Sequence, residues 1–300
     1  MLDLDPKKQN KMITYLSNIF DQIKNLRVLV IGETIIDEFI DVSYEGQSMK
    51  SFCPVFKLES GKTVQQGGAQ AIANHLYDFV KEVKVITNTN NEIVKTRYVD
   101  VGDKKKHIEI NKFDTAGFQH ISVNTADYDV VIVADFGHGF CDKLDITDGF
   151  HLMCQTNSNN FGFNRISKWK NKRKKSACID LREAGIQVNR RIENPSKEDI
   201  LTIFNYELNT ESLFVTTGKS GSSFTKGNTV ETHSSFKTQI VDTIGAGDTF
   251  FAFACIMAHL GKESQNLYLP SLAASLSTTW LCNEKSVTKQ LLLEHAAKYL

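Results

Sequence analysis

Apolar residues recur at helical spacing over residues 6–25, where Ile13, Leu16, Ile19, Phe20 and Ile23 share one face. The pattern predicts an amphipathic helix ahead of the core. Arg27-Val28-Leu29-Val30-Ile31-Gly32 is a short β-branched run closed by glycine, the signature of a strand buried in a parallel sheet. The stretch that follows reads differently. Phe39–Val42, Pro54–Leu58, Val94–Val99 and Lys106–Ile110 look like exposed strands, and such segments set among α/β elements predict a small separate β-sheet. Between them Gly67-Gly68 runs into a helix over Ala69–Leu76. After residue 114, Tyr128–Ala134 predicts a strand ending at Asp135, followed by a helix near 142–152. Further strands are expected at Ser176–Asp180 and Leu213–Gly218, and helices over 249–300. Strands alternating with helices indicate a parallel sheet covered on both faces.

Composition narrows the class. A chain of 300 residues could form one large α/β domain or two small ones. Four scattered prolines and no Gly/Ser-rich linker favour one main domain over 26–300, with the region 1–25 as a helical extension. Lysine plus arginine and aspartate plus glutamate each total 35, so neither nucleic acid nor a membrane surface is the expected partner. The basic run Lys168–Lys175 is expected to be a solvated loop. Six cysteines are scattered without a Cys-x-x-Cys pair, which suits reduced thiols in a cytoplasmic protein better than a disulfide framework or zinc site. The acidic, polar start of the chain shows no signal peptide, and no apolar run approaches the ~20 residues of a membrane span.

The stretch with the most specific chemistry is Val241-Asp242-Thr243-Ile244-Gly245-Ala246-Gly247-Asp248-Thr249-Phe250. Gly245 and Gly247 allow a tight turn and leave backbone N–H groups uncovered. Free N–H groups at a helix start, with the positive end of its dipole, make an anion site. Asp248 would repel an anion there unless it takes a proton from an attacking hydroxyl; as a plain alternative it caps the helix. Phosphate motifs of other kinds fail. Gly218-Lys219-Ser220 and Gly61-Lys62-Thr63 mimic the end of a Walker A loop, but Leu213 and Phe56 stand where its first glycine belongs. Asp135-Phe136-Gly137 has no protein-kinase loops beside it. No Gly-x-Gly-x-x-Gly follows the first strand, which argues against a nicotinamide enzyme.

Asp242-Thr243-Ile244-Gly245-Ala246-Gly247-Asp248 closely resembles the C-terminal signature of the ribokinase-like (PfkB) carbohydrate kinases, and supporting segments extend the resemblance over roughly residues 26–290. The resemblance implies a three-layer αβα domain, with a central mostly parallel sheet and a small β-sheet lid from about 38–60 and 94–112. It assigns Asp248 as catalytic base and the amides of Gly245, Ala246 and Gly247 as the anion hole. Asp37 and the Gly67-Gly68 pair would hold the sugar. Ala71 replaces the family's usual asparagine, and Asn74, one turn on, could substitute. Thr217, Gly218 and Gly221 would flank ATP, and Glu183 with Asp180 would organise Mg²⁺. Asp180 replaces an asparagine, and Asp-x-x-Glu is also a helix-capping pattern.

The branch most resembled is the heptose-phosphate kinases. Asp135-Phe136-Gly137-His138-Gly139 is similar to their Asp-Tyr-Gly-Lys-Gly segment, and Lys95-Thr96-Arg97-Tyr98 to their Lys-Thr-Arg-Phe. Asp135 and Arg97 are thereby expected to bind substrate, Arg97 by gripping phosphate. The amide-rich stretch 155–164 suits a polyhydroxy or phosphate ligand or a structural loop. The resemblance implies ATP and Mg²⁺, allows a monovalent cation such as K⁺ beside Asp242–Gly245, and suggests a homodimer through the lid. The alternatives are a binding or scaffold protein that has lost its chemistry, to which Ala71, His138, Asp180 and Cys282 give weight, and a kinase of a nucleoside or vitamin alcohol.

Overall fold

The computed structural model describes residues 6–89, 92–113, 117–156, 164–206, 208–261 and 266–299. Helix α1 (Pro6–Ile23) leads into β1 (Arg27–Gly32), and one residue, Glu33, separates β1 from β2 (Thr34–Gln47). The chain continues through β3 (Pro54–Gly68), α2 (Ala69–Asn74), β4 (Glu82–Ile86), β5 (Ile93–Asp100), β6 (Lys106–Phe113), β7 (Ile121–Ser122), β8 (Val130–Asp135), β9 (Leu144–Asp145) and β10 (Phe150–Cys154). Then come β11 (Lys174–Asp180), α3 (Leu181–Gln187), α4 (Lys197–Asn205), β12 (Leu213–Thr216), β13 (Ser222–Lys226), β14 (Thr229–His233), α5 (Ala246–Leu260), α6 (Tyr268–Ser277) and α7 (Lys289–Ala296).

The main sheet has the order β14-β13-β12-β11-β10-β8-β1-β4. Its pairs from β4 to β12 are parallel, and β13 and β14 are added antiparallel at one edge. Side chains alternate across a strand, and that alternation divides the core. Val28, Val30, Val130 and Ile132 join one apolar cluster with residues of α1, α2, α5, α6 and α7. Leu29, Ile31, Val131 and Val133 join a second with α3, α4 and the turn holding Ile166 and Trp169. A sheet buried on both faces is what the near-continuous apolar runs of β1 and β8 require, and three αβα layers result. Helix α1 belongs to the first cluster through Leu16, Ile19, Phe20 and Ile23.

A second sheet, order β3-β2-β5-β6, is the expected small one, with strands longer than the sequence pattern shows. Its inner strands are β2 and β5, so the segments Phe39–Val42 and Val94–Val99 are paired on both sides rather than exposed at an edge. Two other expectations change. The helix near 142–152 is absent: a short 3₁₀ turn at Cys141–Lys143 is followed by β9 and the fully buried strand β10. A short apolar run does not distinguish a buried strand from a buried helix. The basic run is also not simply solvated, because Lys174 is buried and donates to the carbonyls of Trp169 and Lys172.

Candidate active site

A cavity of about 830 Å³ lies between the two sheets and the start of α5. Residue Gly245 precedes α5 in a left-handed conformation (φ 82°), and no side chain caps the helix. A Cβ on Gly245 would fall 2.5 Å from Asn283 Oδ1, so the turn accepts glycine alone. The Ala246 N–H reaches the Thr243 carbonyl at 3.3 Å and the Thr249 N–H the Gly245 carbonyl at 2.9 Å. The N–H groups of Gly247 and Asp248 have no acceptor among the described residues and sit on the cavity wall. The turn is braced from behind. The Val287 N–H donates to His75 Nδ1 (3.0 Å), which places the imidazole proton on Nε2, facing Thr249 Oγ1 at 2.9 Å. That hydroxyl donates in turn to the Gly245 carbonyl at 3.0 Å. Burial pushes the His75 pKa down to about 4, which keeps this ring neutral.

Asp248 lies in the first turn of α5 with its carboxyl buried, and makes no side-chain cap. Burial pushes its pKa up to about 7, the negative charge of Asp37 adds to the rise, and Lys95 opposes it. A carboxylate poised there is matched to taking a proton at neutral pH.

Across the cavity, the second sheet supplies the facing wall. Register places Asp37 beside Lys95 and Phe39 beside Arg97, while Arg97 opposes Glu109 on β6. Arg97 forms an ion pair with Asp37, and its Nε donates to Glu109 at 2.9 Å. Its guanidinium therefore meets two carboxylates through Nε and Nη1 while Arg97 lines the cavity. Burial pushes the Asp37 pKa up against the pull of Arg97. Gly67 and Gly68 also line the cavity; a Cβ on Gly68 (φ 65°) would meet the Glu33 carbonyl at 2.2 Å.

The remaining candidates separate clearly. Thr217, Gly218 and Gly221 line the same cavity, as do Asp180 and Glu183. The last two form a capping box on α3: Asp180 N–H to Glu183 Oε2 and Glu183 N–H to Asp180 Oδ1, each 2.7 Å. Glu183 Oε1 also accepts from the Thr156 N–H, and burial with the Asp180 charge pushes its pKa up to about 8. Asp180 keeps one oxygen for the cavity, enough for a cation that binds through one carboxylate, waters and phosphates. Asp135 is not on the cavity wall. It is buried among Lys168 Nζ (2.7 Å), Trp169 Nε1 (2.8 Å) and Asn164 Nδ2 (3.1 Å), which tie it into the fold. Asn74 is also elsewhere, accepting from Gln70 Nε2 at 2.9 Å. Of the amide-rich stretch, 157–163 lie outside the described residues. Glu33, Asp135 and Cys141 bring possible ligand atoms within 4.8 Å of one another, but Lys168 and backbone N–H groups already satisfy the two carboxylates.

Lys95 and Asn283 also line the cavity. Lys95 belongs to the Lys95-Thr96-Arg97-Tyr98 segment, where the period of two along a strand puts it on one face with Arg97; Asn283, Glu109 and Lys106 had no sequence motif to assign them a role. Lys106 Nζ reaches Asp242 Oδ2 at 2.6 Å, while Asp242 Oδ1 accepts from the N–H groups of Thr243 and Ile244. An ammonium thus already neutralises the carboxylate beside which a monovalent cation was expected, so that expectation does not fit these residues.

Comparison with known proteins adds to this geometry. A model of the pfkB family carbohydrate kinases matches residues 177–264, the part holding Asp180, Glu183, Thr217, Gly221 and Gly245–Asp248. Comparison with curated proteins gives no match. Among solved structures, a putative ribokinase from Agrobacterium tumefaciens is similar with TM-score 0.63 and 14% identity, over 92% of this chain and 98% of that one. A nucleoside kinase from Methanocaldococcus jannaschii, an archaeal member of the ribokinase family, gives 0.63 and 15% over 92% and 99%. Arabidopsis thaliana ribokinase complexed with ribose and ATP gives 0.59 and 12% over 90% and 98%. The fold is ribokinase-like.

Proposed function

We propose that this chain is an ATP-dependent kinase that phosphorylates a hydroxyl of a sugar or sugar phosphate. The observation that carries the reading is the first turn of α5, where a buried carboxyl with a pKa near 7 stands beside N–H groups free for an anion. A carboxylate at this position that only capped the helix would accept from the Gly245 N–H; Asp248 makes no such bond. The match to pfkB carbohydrate kinases over 177–264 and the ribokinase-like fold support the same class.

In the mechanism, the acceptor hydroxyl lies between Asp37 and Asp248. Asp248 takes its proton as the oxygen attacks the γ-phosphorus of ATP in line, the bond to the bridging oxygen breaks, and ADP leaves. The N–H groups of Gly247 and Asp248 and the dipole of α5 stabilise the charge on the transferring group. Thr217, Gly218 and Gly221 flank the nucleotide. Mg²⁺, held through the free oxygen of Asp180 and the phosphates with Glu183 bracing that turn, would neutralise phosphate charge. The second sheet acts as a lid that excludes water from the acceptor. Arg97 holds Asp37 in position, so its neighbour on the heptose-phosphate-like Lys95-Thr96-Arg97-Tyr98 segment becomes the informative residue. Among the described residues no helix is long and apolar enough to cross a membrane; a cytoplasmic setting is inferred from the unpaired cysteines.

The test is coupled ADP release across a panel of free sugars, sugar phosphates and nucleosides, in wild type and Asp248→Asn. Turnover that is lost in the mutant supports the reading. No turnover with any acceptor favours the non-catalytic alternative, and preference for a nucleoside favours the other.

A further inference from the structure

Lys95 stands apart from the other charges of the cavity. It extends from the inner face of β5 into the space between Asp37, Glu109 and the start of α5, and forms part of the cavity wall. The carboxylates of Asp37 and Glu109 are both bound to Arg97, and Asp248 belongs to the opposite wall. Lys95 is half-buried and has no hydrogen bond or ion pair among the described residues; the carboxylates of Glu109, Asp37 and Asp248 act on it only through space.

An ammonium partly removed from water and held by no hydrogen bond gains from a ligand that supplies one. Its three donors suit an oxyanion, because Lys binds phosphate or carboxylate as a compact point charge. A neutral hydroxyl offers no charge to match. The neighbouring Arg97 already spends Nη1 on Asp37 and Nε on Glu109, whereas Lys95 can bind an anion with its whole ammonium and no existing contact broken.

We propose that Lys95 is the residue by which this cavity selects an acceptor carrying an anionic group, a phosphate ester or a carboxylate, over its neutral counterpart. The proposal rests on the kinase reading only for the word acceptor; the binding itself requires no chemistry. It is therefore tested without ATP, by calorimetry with free hexoses and heptoses, their terminal phosphates, and the corresponding uronates. Wild type, Lys95→Met and Lys95→Arg are compared; methionine keeps the apolar stem and arginine keeps the charge.

The expected result is tighter binding of an anionic probe than of its neutral counterpart by wild type. That preference falls at least tenfold in Lys95→Met and is largely kept by Lys95→Arg, while neutral probes change less than twofold. Phosphate and uronate arms then show which oxyanion is taken. Equal binding of charged and neutral probes by wild type overturns the proposal. So does an equal loss of both in Lys95→Met, which would give the ammonium a role in the fold. Anionic binding through Lys95 without ADP release in the coupled assay would sink the kinase reading and leave this one standing.

Discussion

The Asp248 carboxyl joins two effects that one substitution separates. As general base it contributes ~10²–10⁴-fold to turnover, so Asp248→Asn lowers kcat by that factor while nucleotide still binds. With its pKa pushed up to about 7, wild-type kcat falls as pH drops below neutrality, and that acidic limb is expected in a pH–rate profile. Stability responds in the other direction. A buried carboxyl with a raised pKa costs the folded chain stability as pH climbs from the ordinary aspartate value of 3.8 through about 7. Below that window the cost is gone. Asp248→Asn should therefore unfold at a higher temperature than wild type at pH 8 and at the same temperature near pH 4. An unchanged kcat would make Asp248 a structural residue. At this scale the sequence was most legible where backbone conformation demands a residue type, as at Gly68 and Gly245. It was least legible where only partners decide. Asp135 and Arg97 had suitable chemistry, but Lys168, Trp169, Asp37 and Glu109 bind them, and no local pattern encodes those contacts.

The turn before α5 has one side open to the cavity and is held on two others. Gly247 has open space where a Cβ would stand, and that space is the cavity. Gly247→Val should fold with little change in Tm, yet weaken nucleotide binding at least tenfold in calorimetry while acceptor binding persists. Equal loss of both ligands would indicate a damaged fold. On the second side, Lys106 ties β6 of the small sheet to Asp242. Because an ammonium already neutralises that carboxylate, activity should be the same in K⁺ and Na⁺ salts at equal ionic strength. Lys106→Met leaves Asp242 without its cation and should lower kcat severalfold, with K⁺ now partly restoring it. Strong K⁺ dependence in wild type would mean that Lys106 is displaced in the working enzyme. The third side, the His75–Thr249 relay, was invisible to sequence reading because its members lie far apart in the chain. Elements were otherwise legible in proportion to their periodicity. Helix α1 and strands β1 and β8 show clear patterns, while β10, short and wholly buried, carries none that excludes a helix.

At the scale of the molecule, the small sheet has one face committed to the cavity and another without cover. Register aligns Val64, Glu38, Thr96 and Ile110 in a row across that outer face, with Lys62, Ile40, Tyr98 and Ile108 in the next. Val64 and Ile110 are each 55% exposed. The Lys62–Glu38 ion pair and the Thr96 hydroxyl on Glu38 keep the middle of the row polar. An uncovered sheet with exposed apolar residues and free edges at β3 and β6 invites pairing with a second copy. A lid-mediated homodimer would use this face and its edges, since β2 and β5 are paired on both sides. Light scattering at micromolar concentration should give twice the 33.7 kDa of the chain. Ile110→Glu with Val64→Glu should return it to monomer with an unchanged Tm for the main domain, since neither residue touches either core. Kinase activity would persist in that monomer if the lid closes alone and fall if a partner's sheet is needed to hold it down. A wild-type monomer at these concentrations would remove the dimer and leave Asp248, Lys95 and the cavity between them unaffected.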